Sequence, residues 1–255
     1  MAVHDAGTET SIGPCAMPTT TEPRHPVVEL RQYTLQPGQR DTLITLFDRA
    51  FIETQEAVGM TVLGQFRDLD DADRFVWLRG FAGMAARAEA LASFYGGPVW
   101  QANRTAANAT MVDSKNVLLL RPAGTSMPLE AWRRSEAPAG ALLAVVCPLA
   151  TAPDARFVAA FMHHWLPLIA RHAGALAGCC VTEPGANTFP RLPVREGEHV
   201  LVALARFNAL EDCDRAAAAS KASHDGLVRI GEDSGVRVIA PPQVLRLAPT
   251  ARSRF

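Results

Sequence analysis

Glutamate, arginine and tyrosine at alternate positions of an extended segment can together orient a small polar group, and Glu29, Arg31 and Tyr33 have that spacing. Residues two apart on a strand share a face, so a carboxylate, a guanidinium and a phenol project together while Val28 and Leu30 point the other way. A guanidinium recognises carboxylate or phosphate in a planar, two-pronged manner; the same trio also serves as a buried ion pair that fixes a sheet. Trp77, Arg79 and Trp100 would add aromatic walls and a second cation to a cavity between sheet and helices. The expected ligand-binding set is therefore Glu29, Arg31, Tyr33, Trp77, Arg79 and Trp100, with no catalytic residue assigned and no metal site expected.

Other constellations point to chemistry less well. His163, His164 and His172 lie on one helical stretch, but adjacent residues diverge by 100° and neither His163 nor His164 is four residues from His172, so this helix alone does not build a metal site. One of them as a haem ligand is a separate alternative; otherwise no cofactor is expected. Ser223, His224 and Asp225 spell a triad in sequence only, since consecutive side chains point apart; a loop or helix terminus is the plainer expectation. Asp68, Asp70, Asp71 and Asp73 lack the central glycine and distal glutamate of a calcium loop and read as a solvated turn. Cys179 and Cys180 on a strand would face opposite ways, one towards the core and one towards the surface.

The elements that must position these groups follow from periodicity. Residues 27–34 alternate as a strand; 40–58 carry an apolar stripe at helical spacing through Leu43, Leu46, Phe47, Ala50, Phe51, Thr54 and Val58. Residues 60–67 form a second strand, and 74–81 form a third with apolar side chains on both faces, as in a covered sheet. Over 82–95 the period becomes helical, with Met84, Ala88, Leu91 and Tyr95 on one stripe and Arg87 and Glu89 free to meet solvent or a cleft. Gly96, Gly97 and Pro98 stop that helix. A further helical piece runs to about Ala109, and 116–120 closes a β-α-β-β-α-β unit.

The pattern then restarts. Residues 142–149 read as a strand, 154–172 as a helix, 175–183 and 199–207 as a hairpin, 210–222 as a helix and 243–247 as a last strand. Residues 57–64 match 172–178 and residues 75–81 match 201–207 closely enough to indicate a tandem duplication. A β-α-β-β-α-β unit covers one sheet face with helices and leaves the other bare. Two such units in one chain can bury their bare faces against each other, at about 25 cal/mol per Å² of apolar area. The expected fold is thus α+β: tandem ferredoxin-like repeats packed sheet to sheet as a pseudo-dimeric α/β barrel. The expected divisions are an N-terminal tail at 1–26, a first module at 27–121, a linker at 122–140, a degenerate second module at 141–248 and a C-terminal tail at 249–255. Residues 184–197 are an insertion where the first unit has a tight turn, and such loops serve as lids or docking arms.

The residues Glu29-Leu-Arg-Gln-Tyr-Thr-Leu-Gln-Pro-Gly38, the segment 59–66, Trp77-Leu-Arg-Gly-Phe81, Arg87 and Pro98-Val-Trp100 resemble the NIPSNAP family of dimeric α/β-barrel, ferredoxin-like proteins. The resemblance covers Val27 to about Arg121, and it implies fold and a habit of association rather than a reaction. The Asp-rich turn before the aromatic strand departs from the family pattern.

Composition narrows the rest. The chain has 255 residues, 48% of them hydrophobic, enough for a full core. A net charge of -1 excludes a global field for nucleic acid or an anionic membrane. No stretch reads as a membrane span, and five unevenly spaced cysteines suit reduced thiols in a cytoplasmic protein. The functional expectation is a small, partly apolar ligand bound in the first half, with cofactor-independent catalysis open. A non-enzymatic assembly or adaptor module is the first alternative and a haem enzyme the second. Homo-oligomerisation through barrel edges or the 184–197 loop is also expected.

Overall fold

The computed structural model describes residues 24–124 and 140–254. Most of the expected N-terminal tail and linker, and Cys15, lie outside the described residues. Among the described residues, eight strands form one closed barrel in the order β1-β3-β2-β8-β5-β7-β6-β4.

The first half runs β1 (Val27–Leu35), α1 (Arg40–Leu46), a π-helical turn (Phe47–Phe51), α2 (Ile52–Glu56), β2 (Thr61–Asp68), β3 (Arg74–Phe81), α3 (Met84–Gly96), α4 (Pro98–Ala109) and β4 (Met111–Pro122). The second runs β5 (Ala141–Leu149), α5 (Ala155–Ala170), β6 (Ala175–Thr182), β7 (His199–Phe207), α6 (Leu210–Ala222), α7 (His224–Ser234) and β8 (Gln243–Pro249). The α+β tandem arrangement read from the sequence is the observed one. The halves close through their edges: β4 pairs with β6 through Leu120 and Thr182, and β8 pairs with β2 through Pro249 and Phe66. Every sheet edge is thereby consumed, which removes the exposed backbone donors and acceptors that an open sheet presents.

Strand alternation then makes two environments. Val28, Leu30, Val76, Leu78 and Leu118 face the lumen together with Leu142, Ala144, Val202 and Leu245 of the other half, in one shared apolar core. At its edge Gln32 and Gln243 exchange two side-chain hydrogen bonds of 3.0 Å across the lumen. The opposite faces pack under helices in two separate layers, one per half.

The duplication extends to irregularities. A bulge in β2 falls between Val62 and Gly64, and one in β6 falls between Leu176 and Gly178. A Cβ at Gly64 would stand 2.6 Å from the Phe66 ring, so the first bulge needs its glycine.

Four local expectations need correction. The helix at 40–58 is interrupted by the π turn Phe47–Phe51, a geometry that the apolar stripe does not encode. The buried face of α3 is Arg87, Ala90, Leu91 and Phe94 rather than the Met84, Ala88, Leu91, Tyr95 stripe. Cys179 and Cys180 are both buried, because β6 is covered on both faces by helices and lumen. Asp68 is buried and bonded to Arg74 and the Asp70 amide, while Asp70 and Asp71 pair with Arg246 and Arg74, so the Asp-rich turn is a latch rather than merely solvated. Ser223 and His224 stand at a helix terminus as expected, although the helix they open, α7, was not read from the sequence.

Candidate functional site

β1 and β3 are antiparallel with Glu29 opposite Arg79, Arg31 opposite Trp77 and Tyr33 opposite Phe75. All of these side chains lie on the helix side of the sheet, since their neighbours in sequence fill the lumen. α3 lays Arg87 over the same spot. The result is one carboxylate among three guanidiniums, all with fully covered side chains. Arg31 Nη1 donates to Glu29 Oε2 at 2.6 Å, Arg79 Nε donates to the same oxygen at 2.8 Å, and Arg87 Nε donates to Oε1 at 2.7 Å.

The remaining donors are distributed unevenly. Arg31 Nε donates to the Tyr33 hydroxyl at 3.0 Å, and Arg79 Nη1 donates to Gln55 Oε1 at 3.0 Å. Arg31 Nη2 and Arg87 Nη2 have no hydrogen-bond acceptor among the described residues, and neither does Trp77 Nε1. Arg79 Nη2 lies 2.8 Å from Glu29 Oε2 but is misaligned for a hydrogen bond. Trp77 is flanked by both cations, with the Arg31 guanidinium 5.4 Å and that of Arg79 5.0 Å from its ring centroid. Such stacking suits the weakly hydrated guanidinium face.

Burial by itself would raise the Glu29 pKa, but the attraction of Arg79, then of Arg31 and Arg87, overrides it and holds the carboxyl well below the usual carboxylate range. Burial pushes the Tyr33 phenol up, so it remains a protonated hydroxyl at neutral pH. For Arg87 burial dominates and lowers its pKa, with Glu29 pulling the other way. Three positive charges against one negative leave an excess of two charges in the layer.

Beside this cluster lies an aromatic slot. Tyr33, Phe47, Phe51, Gln55, Trp77, Phe94, Tyr95 and Trp100 line a cavity of about 30 Å³, room for about one water molecule. The π turn delivers two of these walls, Phe47 and Phe51, and such turns recur at functional sites. Trp100 packs against Tyr95 at a centroid distance of 4.8 Å and against Phe51 at 5.6 Å.

The 184–197 loop crosses from the second half to cover the first. Arg87 Nη1 donates to Asn187 Oδ1 at 3.0 Å and to Thr188 Oγ1 at 3.2 Å, and Phe189 stacks on Tyr95. A surface groove of about 390 Å³ runs along this strap past Asn187, lined on its way by Glu183 and Arg195. The residues after β8, expected to be a tail, also reach across: Ser253 Oγ accepts from the Gln65 amide, and Arg254 pairs with Glu56 at 2.8 Å.

Of the six residues expected from the sequence, Glu29, Arg31, Tyr33, Trp77 and Arg79 are in one contiguous cluster, and Trp100 stands across the slot from it. Gln55, Arg87, Tyr95, Asn187 and Thr188 were not expected. Arg87 had a signal: it precedes Leu91 and Phe94 by four and seven residues, a charge on an apolar helix face. The three histidines lie elsewhere, with His163 and His164 on α5 and His172 in the turn that follows it. His163 and His164 line a shallow surface groove with Pro167 and Ile230.

The second half provides an internal comparison. Ladder register places Leu143 where Glu29 stands, because Leu143 faces Ala205 as Glu29 faces Arg79. Val145, Cys147 and Ala203 likewise stand for Arg31, Tyr33 and Trp77. Gln55 and Ile169 match by their carbonyls, which accept from the amides of Met60 and Gly174 respectively. The counterpart of Arg87, six residues beyond Phe81, is Cys213, six beyond Phe207. Each of these counterparts is buried and apolar.

Comparison with one solved structure agrees with the fold. A candidate monooxygenase from Fusobacterium nucleatum is similar over 88% of this chain and 92% of its own, with 9% identity and a TM-score of 0.53, a likeness of fold alone. A candidate monooxygenase from Lactobacillus acidophilus covers 90% of this chain and 98% of its own, at 12% identity and a TM-score of 0.49. A NIPSNAP-like domain protein from Burkholderia xenovorans is 27% identical over 41% of this chain and 91% of its own, with a TM-score of 0.35. No curated protein matches the chain. The NIPSNAP family model matches residues 28–127, which span the strands and helices that carry Glu29, Arg31, Tyr33, Trp77, Arg79, Arg87 and Trp100, so the NIPSNAP domain match of this chain lies in its first half.

Proposed function

We propose that the first half binds a small, partly apolar molecule, with a polar group against Arg31, Tyr33 and Arg79 and an apolar body along Trp77 and Trp100. The observation that carries this reading is the internal comparison. The same fold, with the same bulge and ladder register, builds its second helix-covered layer from Leu143, Val145, Ile169, Ala203, Ala205 and Cys213. The architecture does not require the charges, and burying an ion cluster gives little or no stability over a hydrophobic replacement. Retaining one therefore points to a task. If chemistry occurs there, Tyr33 is the proton donor nearest the cluster, its oxygen polarised by Arg31 Nε.

A second reading, in which the cluster is architectural and the protein an assembly module, has one observation behind it. The three guanidiniums are fully covered and the adjacent cavity is water-sized. Ligand entry therefore requires the strap or the slot to open. The deciding experiment is mass spectrometry of small molecules released by denaturing the freshly purified full chain, in parallel with Arg31→Met/Arg79→Met. A compound present in stoichiometric amount in the parent and lost from a folded double variant supports binding. Retention of that compound by the variant, or no compound with either protein together with no hit in a thermal-shift library, supports the architectural reading.

A further inference from the structure

We infer that the ligand of this site is an organic oxyanion, a small acid bearing a carboxylate or phosphate on an apolar body, and that Arg87 is its recognition residue. The inference rests on the small-molecule reading above and adds charge to it. Its first ground is the excess of two positive charges in a layer from which water is excluded. Buried charges are ordinarily paired, and among the described residues Glu29 is the one carboxylate bonded to the three guanidiniums.

The second ground is donor geometry. Arg31 Nη2, Arg87 Nη2 and Trp77 Nε1 are buried donors without acceptors among the described residues, on side chains whose exposure is 0%, 0% and 2%. A buried donor without a partner costs more than a hydrogen bond gains. An anion brings acceptor oxygens and negative charge together, whereas a neutral amide or alcohol would leave the charge unbalanced.

The third ground is what now occupies Arg87. Its Nη1 donates to two neutral oxygens, the Asn187 amide at 3.0 Å and the Thr188 hydroxyl at 3.2 Å, both from the strap. Both oxygens sit on Nη1 and Nη2 is without an acceptor among the described residues, so a carboxylate or phosphate that displaced them would meet the two-nitrogen edge that binds such a group in a two-pronged manner. Lifting the strap therefore exchanges two neutral acceptors for a charged one, and it uncovers the aromatic slot at Tyr95 in the same movement, because Phe189 stacks on that ring. Arg87 differs from Arg31 and Arg79 in being carried by a helix and bonded to the strap, which makes it the guanidinium that reads the incoming group.

The experiment is calorimetric titration of the full chain with phenylacetate, phenyl phosphate, the neutral isostere phenylacetamide and inorganic phosphate. Either aromatic acid is expected to bind at least tenfold more tightly than the amide and than inorganic phosphate, and the preferred acid identifies the headgroup. Arg87→Met is expected to abolish the preference for acid over amide, Arg87→Lys to retain part of it, and Arg215→Met on the distant α6 surface to leave it unchanged. Equal binding of acid and amide overturns the charge argument while leaving the small-molecule reading intact. Inorganic phosphate binding as tightly as the aromatic acids overturns the organic assignment and leaves an adventitious ion only. An acid preference that survives in folded Arg87→Met and Arg87→Lys removes Arg87 from the role. If no probe of either kind binds, the inference is overturned, and the small-molecule reading is then decided separately by the released-compound experiment.

Discussion

Arg79 and Ala205 occupy one position of a repeated ladder: each stands two residues before the terminal phenylalanine of its strand, and each faces the third residue of the half's first strand. Around Arg79 the layer is ionic, and around Ala205 it is hydrocarbon. The two layers hang on the same barrel, so the difference between them isolates what the first half carries beyond the needs of folding. It also sets the expected energetics, because Glu29 is the group that makes three buried cations tolerable.

Replacing Glu29 with Gln should therefore be the most damaging single change in the cluster. Breaking a buried ionic network by removing one partner costs about 3–5 kcal/mol, and here the loss leaves three like charges facing one another. Arg79→Met should cost less, since it removes one of the mutually repelling cations while keeping its volume. Urea unfolding monitored by Trp fluorescence checks the order. Arg79→Met proving more destabilising than Glu29→Gln would mean that Glu29 is not the hub.

The acid limb of stability should carry the signature of Glu29. Its folded pKa lies below the unfolded value, so between the two the unfolded chain binds the extra proton and stability rises with pH. The contribution is present above the ordinary carboxylate range and is lost as pH falls through it towards the folded value. A stability profile from pH 6 downwards should be steep in the parent. In Glu29→Gln it should be shallower, and the same slope in both proteins would contradict the assignment.

The thiols predict the opposite sign at high pH. Burial pushes Cys147, Cys179 and Cys213 up to about 12. Their folded values exceed the unfolded ones, so this stability is complete below the ordinary thiol range and is lost as pH climbs from there towards about 12. At pH 8 the folded protein should leave these thiols and the equally buried Cys180 unmodified by iodoacetamide, with reaction appearing on unfolding. Rapid alkylation of any of the four in the native state would show that the core around that thiol opens locally.

How much of this could be read in advance follows from which residues act locally. Strand alternation placed Glu29, Arg31 and Tyr33 on one face, and the repeated aromatic strand identified Arg79 and the barrel, because both signals are written in residues one or two apart. Arg87 and Gln55 escaped because a helix shows its buried face only through a stripe, and in α3 the alanines let the stripe be drawn one residue out of place. Asn187 and Thr188 escaped for a different reason. Their contacts with Arg87 span about a hundred residues and depend on the strap folding across from the other half, for which no local pattern exists.

The strap should be separable from the barrel. Phe189→Ala removes its stacking on Tyr95 without touching a ladder hydrogen bond. Its cost should be about 0.5–1.5 kcal/mol for the aromatic pair plus the lost burial of a half-covered ring. Hydrogen exchange should rise at the amides of Phe189 and Leu192, which are bonded within the loop, while those of β1 and β3 stay protected. Faster exchange throughout β1 would mean that the strap is part of the barrel's cooperative unit rather than a cover over the cluster.

The sharpest test is to give the first layer the chemistry of the second. Glu29→Leu, Arg31→Met, Arg79→Met and Arg87→Met together remove all four charges while holding volume nearly constant, which limits the cavity and strain terms. Exchange of a buried ion cluster for packed hydrocarbon is often neutral or stabilising by about 1–4 kcal/mol, and the apolar second half demonstrates that this fold accepts such a layer. The quadruple variant should therefore unfold at the same or a higher urea concentration than the parent while losing every acid that the parent binds. A variant that is soluble, cooperative and still binds acid would remove the cluster from recognition. One that fails to fold, although its counterpart layer folds in the same chain, would make the ion cluster a structural requirement of the first half.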